Sequence, residues 1–335
     1  MLLAANDKVR QFYRQFTSDD RVLILINADP DAIGSAMAVK RLLWRKVNHI
    51  TICNINTIDR PDNCAMVELL GVKLTHIKDL DQKRFTRFVM VDSQPSHNEL
   101  FAGFSIDLVI DHHPDTSSKA PFQDIRPKYG ATSTIMTEYL RAAKIKPATK
   151  LATALLLGIK TDTSNFEQQT LLEDVRSFQY LFRHANKHLI RKIEQSEIRP
   201  DYLKFFKKAL ENKRVRKGKV FVFLGLVPNP DICVLIADFF LKINSVKWSI
   251  VAGYHQKKLI IIFRSDGLRK NAGNVAERGF AEFGSAGGRK AMARAEIDLT
   301  TLRPLIDHKD DAKVVQWIMS QVTKKPRKPP ADPKK

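Results

Sequence analysis

The stretch Ile106-Asp107-Leu108-Val109-Ile110-Asp111-His112-His113 runs from a short apolar segment directly into one carboxylate and two imidazoles. A strand that stops on such groups sets three ligand-type side chains at one sheet edge, where they can converge on an ion. Taken alone, an Asp-His-His triplet in a charged chain reads more readily as a polar loop. Three further acidic sites follow comparable apolar runs. Arg21-Val22-Leu23-Ile24-Leu25-Ile26 leads into Asn27-Ala28-Asp29-Pro30-Asp31-Ala32-Ile33-Gly34-Ser35, Phe88-Val89-Met90-Val91 leads into Asp92-Ser93, and Leu155-Leu156-Leu157-Gly158-Ile159-Lys160 leads into Thr161-Asp162-Thr163. In open α/β sheets, ligands collect outside the carboxyl ends of the strands. Acids at successive ends are therefore acids around one crevice.

The surrounding periodicity fits such a sheet. Val9, Phe12, Tyr13 and Phe16 recur at helical spacing and predict an opening helix. Arg21 to Ile26 is too continuously apolar for an exposed strand. Helices are expected from Gly34 and over 62–70, closed by Gly71, and strands over 49–55, 73–77 and 85–91. This alternation predicts an α/β domain: a parallel sheet with helices on both faces. Gly130-Ala131-Thr132-Ser133-Thr134 opens a helix through Ala143 with hydroxyl caps, and is left out of the site for that reason. A helix over 151–160 runs into Thr161-Asp162, and 171–212 reads as helical with breaks near 185–186 and 200–201.

A smaller α/β domain follows, read as strand 220–227, helix 229–242, strands 246–254 and 258–264, helix 271–283, a Gly-rich turn, strand 291–297 and helix 301–322. The expected division is a catalytic domain over 1–195, a helical connector over 196–215, a substrate-binding domain over 216–322 and a basic disordered tail over 323–335. There is no internal repeat.

The 335 residues suit about two domains, and 44% hydrophobic content is enough for real cores. No apolar run approaches the roughly 18 residues of a membrane span. The sequence from Met1 to Asp7 lacks a charged segment followed by a sustained apolar one, so no signal peptide is expected and the cytoplasm is the expected compartment. Cys53, Cys64 and Cys233 are few and far apart, with no Cys-x-x-Cys and an odd total, which argues against a disulfide framework and a structural zinc site. The formal charge of +20 favours polyanionic partners, nucleic acid above all. The charge run Arg214 to Lys219 reads as a solvated turn.

On its four motifs the chain resembles the DHH phosphoesterase superfamily, and within it the phosphodiesterases of short oligonucleotides and cyclic dinucleotides. The family's opening motif reads here as Asp29-Pro30-Asp31-Ala32-Ile33-Gly34-Ser35, its second as Asp92, its third as Asp111-His112-His113 and its fourth as Asp162. The resemblance implies a two-metal hydrolase in which Asp92 bridges the ions. It implies that Asp31, His112 and Asp162 complete one shell and that Asp29 serves the other. His113 would contact the phosphate or assist the leaving group, and Asp111 would orient an imidazole from behind. Two divalent ions about 3.5–4 Å apart lower the pKa of a bridging water and clamp the phosphate. Carboxylates with imidazole suit Mn2+, with Mg2+ or Co2+ as alternatives. Family members usually carry a His four residues before the first Asp. Leu25 stands there, so the first metal site lacks its imidazole.

In the second domain, Phe263-Arg264-Ser265 resembles the Arg-Ser element of the DHH-associated domain, where a guanidinium grips a phosphate. Phe283-Gly284-Ser285-Ala286-Gly287-Gly288-Arg289 resembles its Gly-Gly-Gly-His loop, with Arg289 in place of the His. Arg264, Ser265, Gly287, Gly288 and Arg289 are thus the substrate-binding candidates. The implied activity is hydrolysis of short RNA or DNA oligonucleotides or dinucleotides to mononucleotides in a cleft between domains, with a homodimer as the family's common assembly. The competing reading, resting on Leu25, Arg289 and the basic tail, is a catalytically impaired nucleic-acid-binding protein.

Overall fold

The apolar runs that precede acids become neighbouring strands, apart from the last, which is a helix. The computed structural model describes residues 2–195, 198 and 200–323. Residues 324–335, which hold nearly all of the expected basic tail, lie outside the described residues. The chain divides into two units, one ending at residue 197 and the next beginning at Ile198.

In the first unit, β1 (Arg21–Ile26), β2 (His49–Asn54), β3 (Thr75–His76), β4 (Arg87–Val91), β5 (Leu108–Asp111) and β6 (Phe122–Ile125) form a sheet in the order β3-β2-β1-β4-β5-β6. Every pairing is parallel. β1 is buried from Val22 to Ile26, as a central parallel strand must be. Val22, Ile24 and Ile26 enter one apolar layer, and Leu23 and Leu25 enter the other.

The first layer is closed by α1 (Leu2–Tyr13), α2 (Pro30–Leu42), α3 (Pro61–Leu70), α4 (Thr132–Ala142), α5 (Thr149–Asp162), α6 (Leu172–Phe182) and α7 (Lys187–Glu194). The opposite layer is closed by Phe101, Phe104, Ile106 and Ala120, from segments holding only short 3-10 turns. Helices do lie on both faces, but the second face carries single turns. The chain steps outward through β2 and β3, then returns to β4 beside β1 and steps the other way. Crossovers of one hand that travel in opposite directions fall on opposite faces. The reversal opens a crevice at the carboxyl ends of β1 and β4.

Two glycines bring helices to that crevice. A Cβ on Gly34 would lie 3.0 Å from the Ala154 carbonyl oxygen, and one on Gly158 would lie 2.4 Å from Ser133 Oγ and 2.9 Å from Asp31 Cα. Hydrogen in place of a methyl lets α2, α4 and α5 converge. α5 then stops abruptly: Ser164, Asn165 and Phe166 have φ of 48°, 57° and 69°, a left-handed turn held by the Asn165 N–H donating to the Lys160 carbonyl at 2.7 Å.

The second unit holds α8 (Leu203–Asn212), β7 (Arg214–Arg216), β8 (Lys219–Leu226), α9 (Asp231–Leu241), β9 (Trp248–His255), β10 (Lys258–Ser265), α10 (Ala272–Phe280), β11 (Ser285–Gly288), β12 (Met292–Asp298), α11 (Leu299–Leu302) and α12 (Asp311–Thr323). Its sheet runs β11-β12-β10-β9-β8-β7. Only β8 and β9 pair in parallel, across α9, and the rest are antiparallel. Val220, Val222 and Leu224 pack with α9 and with Phe205 and Ala209 of α8, so the stretch read as a connector contributes to this core. Phe221 and Phe223 face the opposite layer with α10 and α12. The expected Gly-rich turn contains an edge strand, β11. Among the described residues no helix is long and apolar enough to cross a membrane, and Cys53 and Cys233 are buried thiols.

Candidate metal centre

Seven of the expected site residues assemble in the first unit. Asp29 and Asp31 follow β1, Asp92 follows β4, Asp111 to His113 close β5, and Asp162 ends α5. Asp31, His112 and Asp162 each bring one ligand atom within 4.8 Å of the other two, and so do Asp92, His112 and His113. His112 belongs to both sets.

The surroundings of His112 test whether these residues suit a cation. Its ring is 5% exposed, and Nδ1 donates to the Tyr129 carbonyl at 3.1 Å, since a carbonyl can only accept. Nε2 is thereby turned to the acids, 3.1 Å from Asp162 Oδ2 and 3.6 Å from Asp92 Oδ1. It is buried without a well-formed hydrogen bond. An orphaned imidazole nitrogen among carboxylates is what a metal ligand looks like without its ion. Burial opposes a proton there, but Asp162 and Asp31 outweigh it and lift the ring to about 9.

The carboxylates are held just as specifically. Asp31 is fully buried and accepts the Thr132 and Ser133 N–H groups, each at 2.7 Å. These are the first amides of α4, whose dipole favours an anion. Asp29 Oδ1 accepts from Ala32 N–H at 2.9 Å and caps α2. Asp92 has φ of 58°, a left-handed conformation that costs a non-glycine residue about 1–2 kcal/mol. Its N–H donates to the Ile110 carbonyl at 3.0 Å, and its Oδ1 accepts from the Thr132 hydroxyl at 2.8 Å.

These acids repel one another. Burial, then the charge of Asp162, raises Asp29 to about 7 and Asp31 to about 6. Burial, then Asp31, Asp29 and Asp162, raises Asp92 well above the usual range. Asp111 behaves oppositely. Burial disfavours its charge, but the hydrogen bond and charge of His113 and the Gln94 amide prevail and hold it at about 2. Its Oδ1 accepts from His113 Nδ1 at 2.8 Å and its Oδ2 from Gln94 Nε2 at 2.7 Å.

Several residues the motifs do not mark also shape the centre: Thr132 and Ser133, Gln94, the Tyr129 carbonyl, and Asn56. Asn56 exchanges two hydrogen bonds with the Ala28 backbone, at 2.7 and 2.9 Å, fixing the chain just before Asp29. His97 joins Asp111 and His113 in a third convergent trio. Only the small and hydroxyl residues at 130–134 left a sequence signal. Leu25 is fully buried among Leu23, Cys53, Met90 and Val109, so position 25 offers the centre no nitrogen.

The remaining candidates lie in the second unit and also gather at one place. Arg264 pairs with Met292, Gly288 pairs with Ala293, and Ser265 N–H donates to the Ala291 carbonyl at 2.8 Å. Arg289 is exposed. Arg264 is partly engaged: Nε donates to Asp238 Oδ1 at 2.7 Å and Nη1 to the Phe263 carbonyl at 3.1 Å. A Cβ on Gly288 would lie 2.3 Å from the Met292 carbonyl oxygen, whereas one on Gly287 would meet nothing within 4 Å.

Comparison with known proteins agrees with this architecture. The uncharacterized protein MJ1633 of Methanocaldococcus jannaschii is 34% identical over 307 residues, 89% of this chain. The chain spans 63% of that relative's length. An exopolyphosphatase-related protein from Bacteroides fragilis superposes with a TM-score of 0.72 at 16% identity, covering 94% of this chain and 95% of its own. RecJ from Thermus thermophilus in complex with Mn2+ superposes with a TM-score of 0.53 at 13% identity, covering 96% of this chain and 54% of its own. The chain shares the fold of these two structures. Over residues 21–159, from β1 into α5, the sequence matches the model of the DHH family N-terminal domain.

Proposed function

We propose that the chain is a metal-dependent phosphodiesterase that hydrolyses short oligonucleotides or dinucleotides to mononucleotides. One observation carries this reading: the orphaned Nε2 of His112 faces Asp92 and Asp162 in a buried cluster of mutually repelling acids. Asp31, Asp92, His112 and Asp162 would hold one divalent cation, and Asp29 with Asp92 a second. Oxygen-rich ligands with one imidazole and no thiolate suit Mn2+, the ion carried by the RecJ structure of this fold. Divalent cations held there supply Lewis acidity toward the phosphate and toward water.

The chain's own groups set the geometry. The α4 amides fix both oxygens of Asp31, and the Thr132 hydroxyl fixes Asp92. The Tyr129 carbonyl fixes the His112 ring. Asp111 ties Nδ1 of His113 and leaves Nε2 to contact the phosphate or pass a proton to the leaving alkoxide. In the second unit, Arg264, Ser265, Gly287, Gly288 and Arg289 would offer a separate set of phosphate-binding groups.

The test is manganese-dependent hydrolysis of RNA and DNA oligomers of two to roughly twenty nucleotides, cyclic dinucleotides and a nucleotide 3′-phosphate, beside Asp92→Ala. Wild type should cleave one class, and the variant should lose about a hundredfold or more. The buried Leu25 favours a second reading, a catalytically impaired binder of nucleic acid. That reading predicts binding of oligomers by both proteins and cleavage by neither.

A further inference from the structure

Away from the acidic centre, Arg141, Arg176, Gln179, Tyr180 and Arg183 line a cavity of about 210 Å³ in the first unit. Arg176, Gln179, Tyr180 and Arg183 recur at i, i+3, i+4 and i+7, along one face of α6 and the residue just past it. Arg141 stands in the last turn of α4 with its guanidinium carbon 5.1 Å from the centroid of the Tyr180 ring. Arg60, Arg87 and Arg126 of this unit each pair with an acid. Among the described residues the three cavity arginines have no such pairing.

The frame beneath them is fixed. Asp174, fully buried on the inner side of α6, accepts from the Thr134 hydroxyl at 2.6 Å, the Leu171 N–H at 2.7 Å and the Gly130 N–H at 3.0 Å. α6 is thus tied to the start of α4, so the backbone that carries the exposed arginines is fixed before any ligand arrives, which lowers the entropy lost on binding. α4 also links this cavity to the metal centre. It opens on Asp31 and Asp92, and Arg141 lies nine residues on, about 13–14 Å along the axis.

We propose that Arg141, Arg176, Gln179, Tyr180 and Arg183 form a second binding site, for the phosphodiester backbone of single-stranded nucleic acid outside the segment being cleaved. Guanidinium forks match phosphate oxygens in pairs where ammonium groups act as point charges. All three cations here are arginines. Phosphate contacts position a strand without reading its bases, so the site selects for length and not for sequence. This inference rests on the nucleic-acid reading of the metal centre.

The test uses the full chain in chelator, with a fluorescein-labelled single strand of roughly twelve nucleotides followed by anisotropy from about 50 to 200 mM salt. Arg176→Gln with Arg183→Gln should weaken binding about tenfold or more and lower the salt slope by about two. Arg214→Gln with Arg216→Gln, exposed cations of the second unit, should change affinity less than about threefold. Equal losses for both pairs, no loss for the first pair, or no binding by the unmodified chain would each overturn the proposal. Dinucleotide hydrolysis is measured in parallel and should be unchanged in the first pair. A chain that binds through these arginines yet hydrolyses nothing refutes the phosphodiesterase reading alone. Cleavage without arginine-dependent binding refutes the second site alone.

Discussion

Asp29 serves two opposed ends. Its side chain caps α2, yet it stands in the field of Asp162 and Asp31, and burial with those charges raises it to about 7. In the unfolded chain the same acid ionises near ~3.9. The metal-free folded form therefore keeps its proton longer than the unfolded chain. Stability from this group is present below about pH 4 and is lost as pH climbs toward 7. Asp29→Asn keeps the capping oxygen and removes the repulsion. In chelator near pH ~8 the variant should melt a few degrees above wild type, about 1–2 kcal/mol, with the gap closing near pH ~4. Saturating manganese should reverse the order, because the variant would lack a proposed ligand. Calorimetry across pH reads this directly. A variant that melts lower than wild type in chelator at the alkaline end would mean that Asp29 is not under electrostatic stress.

The close approach of α2, α4 and α5 is a property of elements. Gly158→Ala would drive a methyl group against Ser133 and Asp31. It should cost about 1–3 kcal/mol and weaken manganese binding about tenfold or more by shifting Asp31. Gly287→Ala has open space and should move stability by less than about 0.5 kcal/mol. Equal melting temperatures for the two variants would contradict this packing. The same scale separates what the sequence made legible from what it hid. Strands β1, β4 and β5 and the acids after them carry local signatures, an apolar run and then a ligand-type residue. Gln94, Asn56 and the Tyr129 carbonyl carry none, because each acts on a partner 17 or more residues away. β11 read as a turn because glycine signals a break locally, while pairing with β12 makes the strand. The 3-10 cover of the second sheet face was hidden likewise, since single turns leave no periodicity.

At the scale of the whole molecule, every candidate ligand lies in the first unit. Manganese should slow hydrogen exchange there, most at the Thr132 and Ser133 amides behind Asp31, and leave the second unit unchanged. Uniform protection of both units, or none, would count against the assignment. The spread of the ligands along the chain has a further consequence. Asp29 leaves the ribosome long before Asp162, and at ~5–20 residues per second the interval is on the order of ten seconds. Throughout that time the early carboxylates have neither α5 nor its terminal acid beside them. A nascent chain stalled before residue 162 should not fill the proposed cation site of Asp31, Asp92, His112 and Asp162, and loading there should begin only once α5 has been made and docked. On the proposed ligand assignment, the last motif to be translated, rather than the first, would set the clock for metallation.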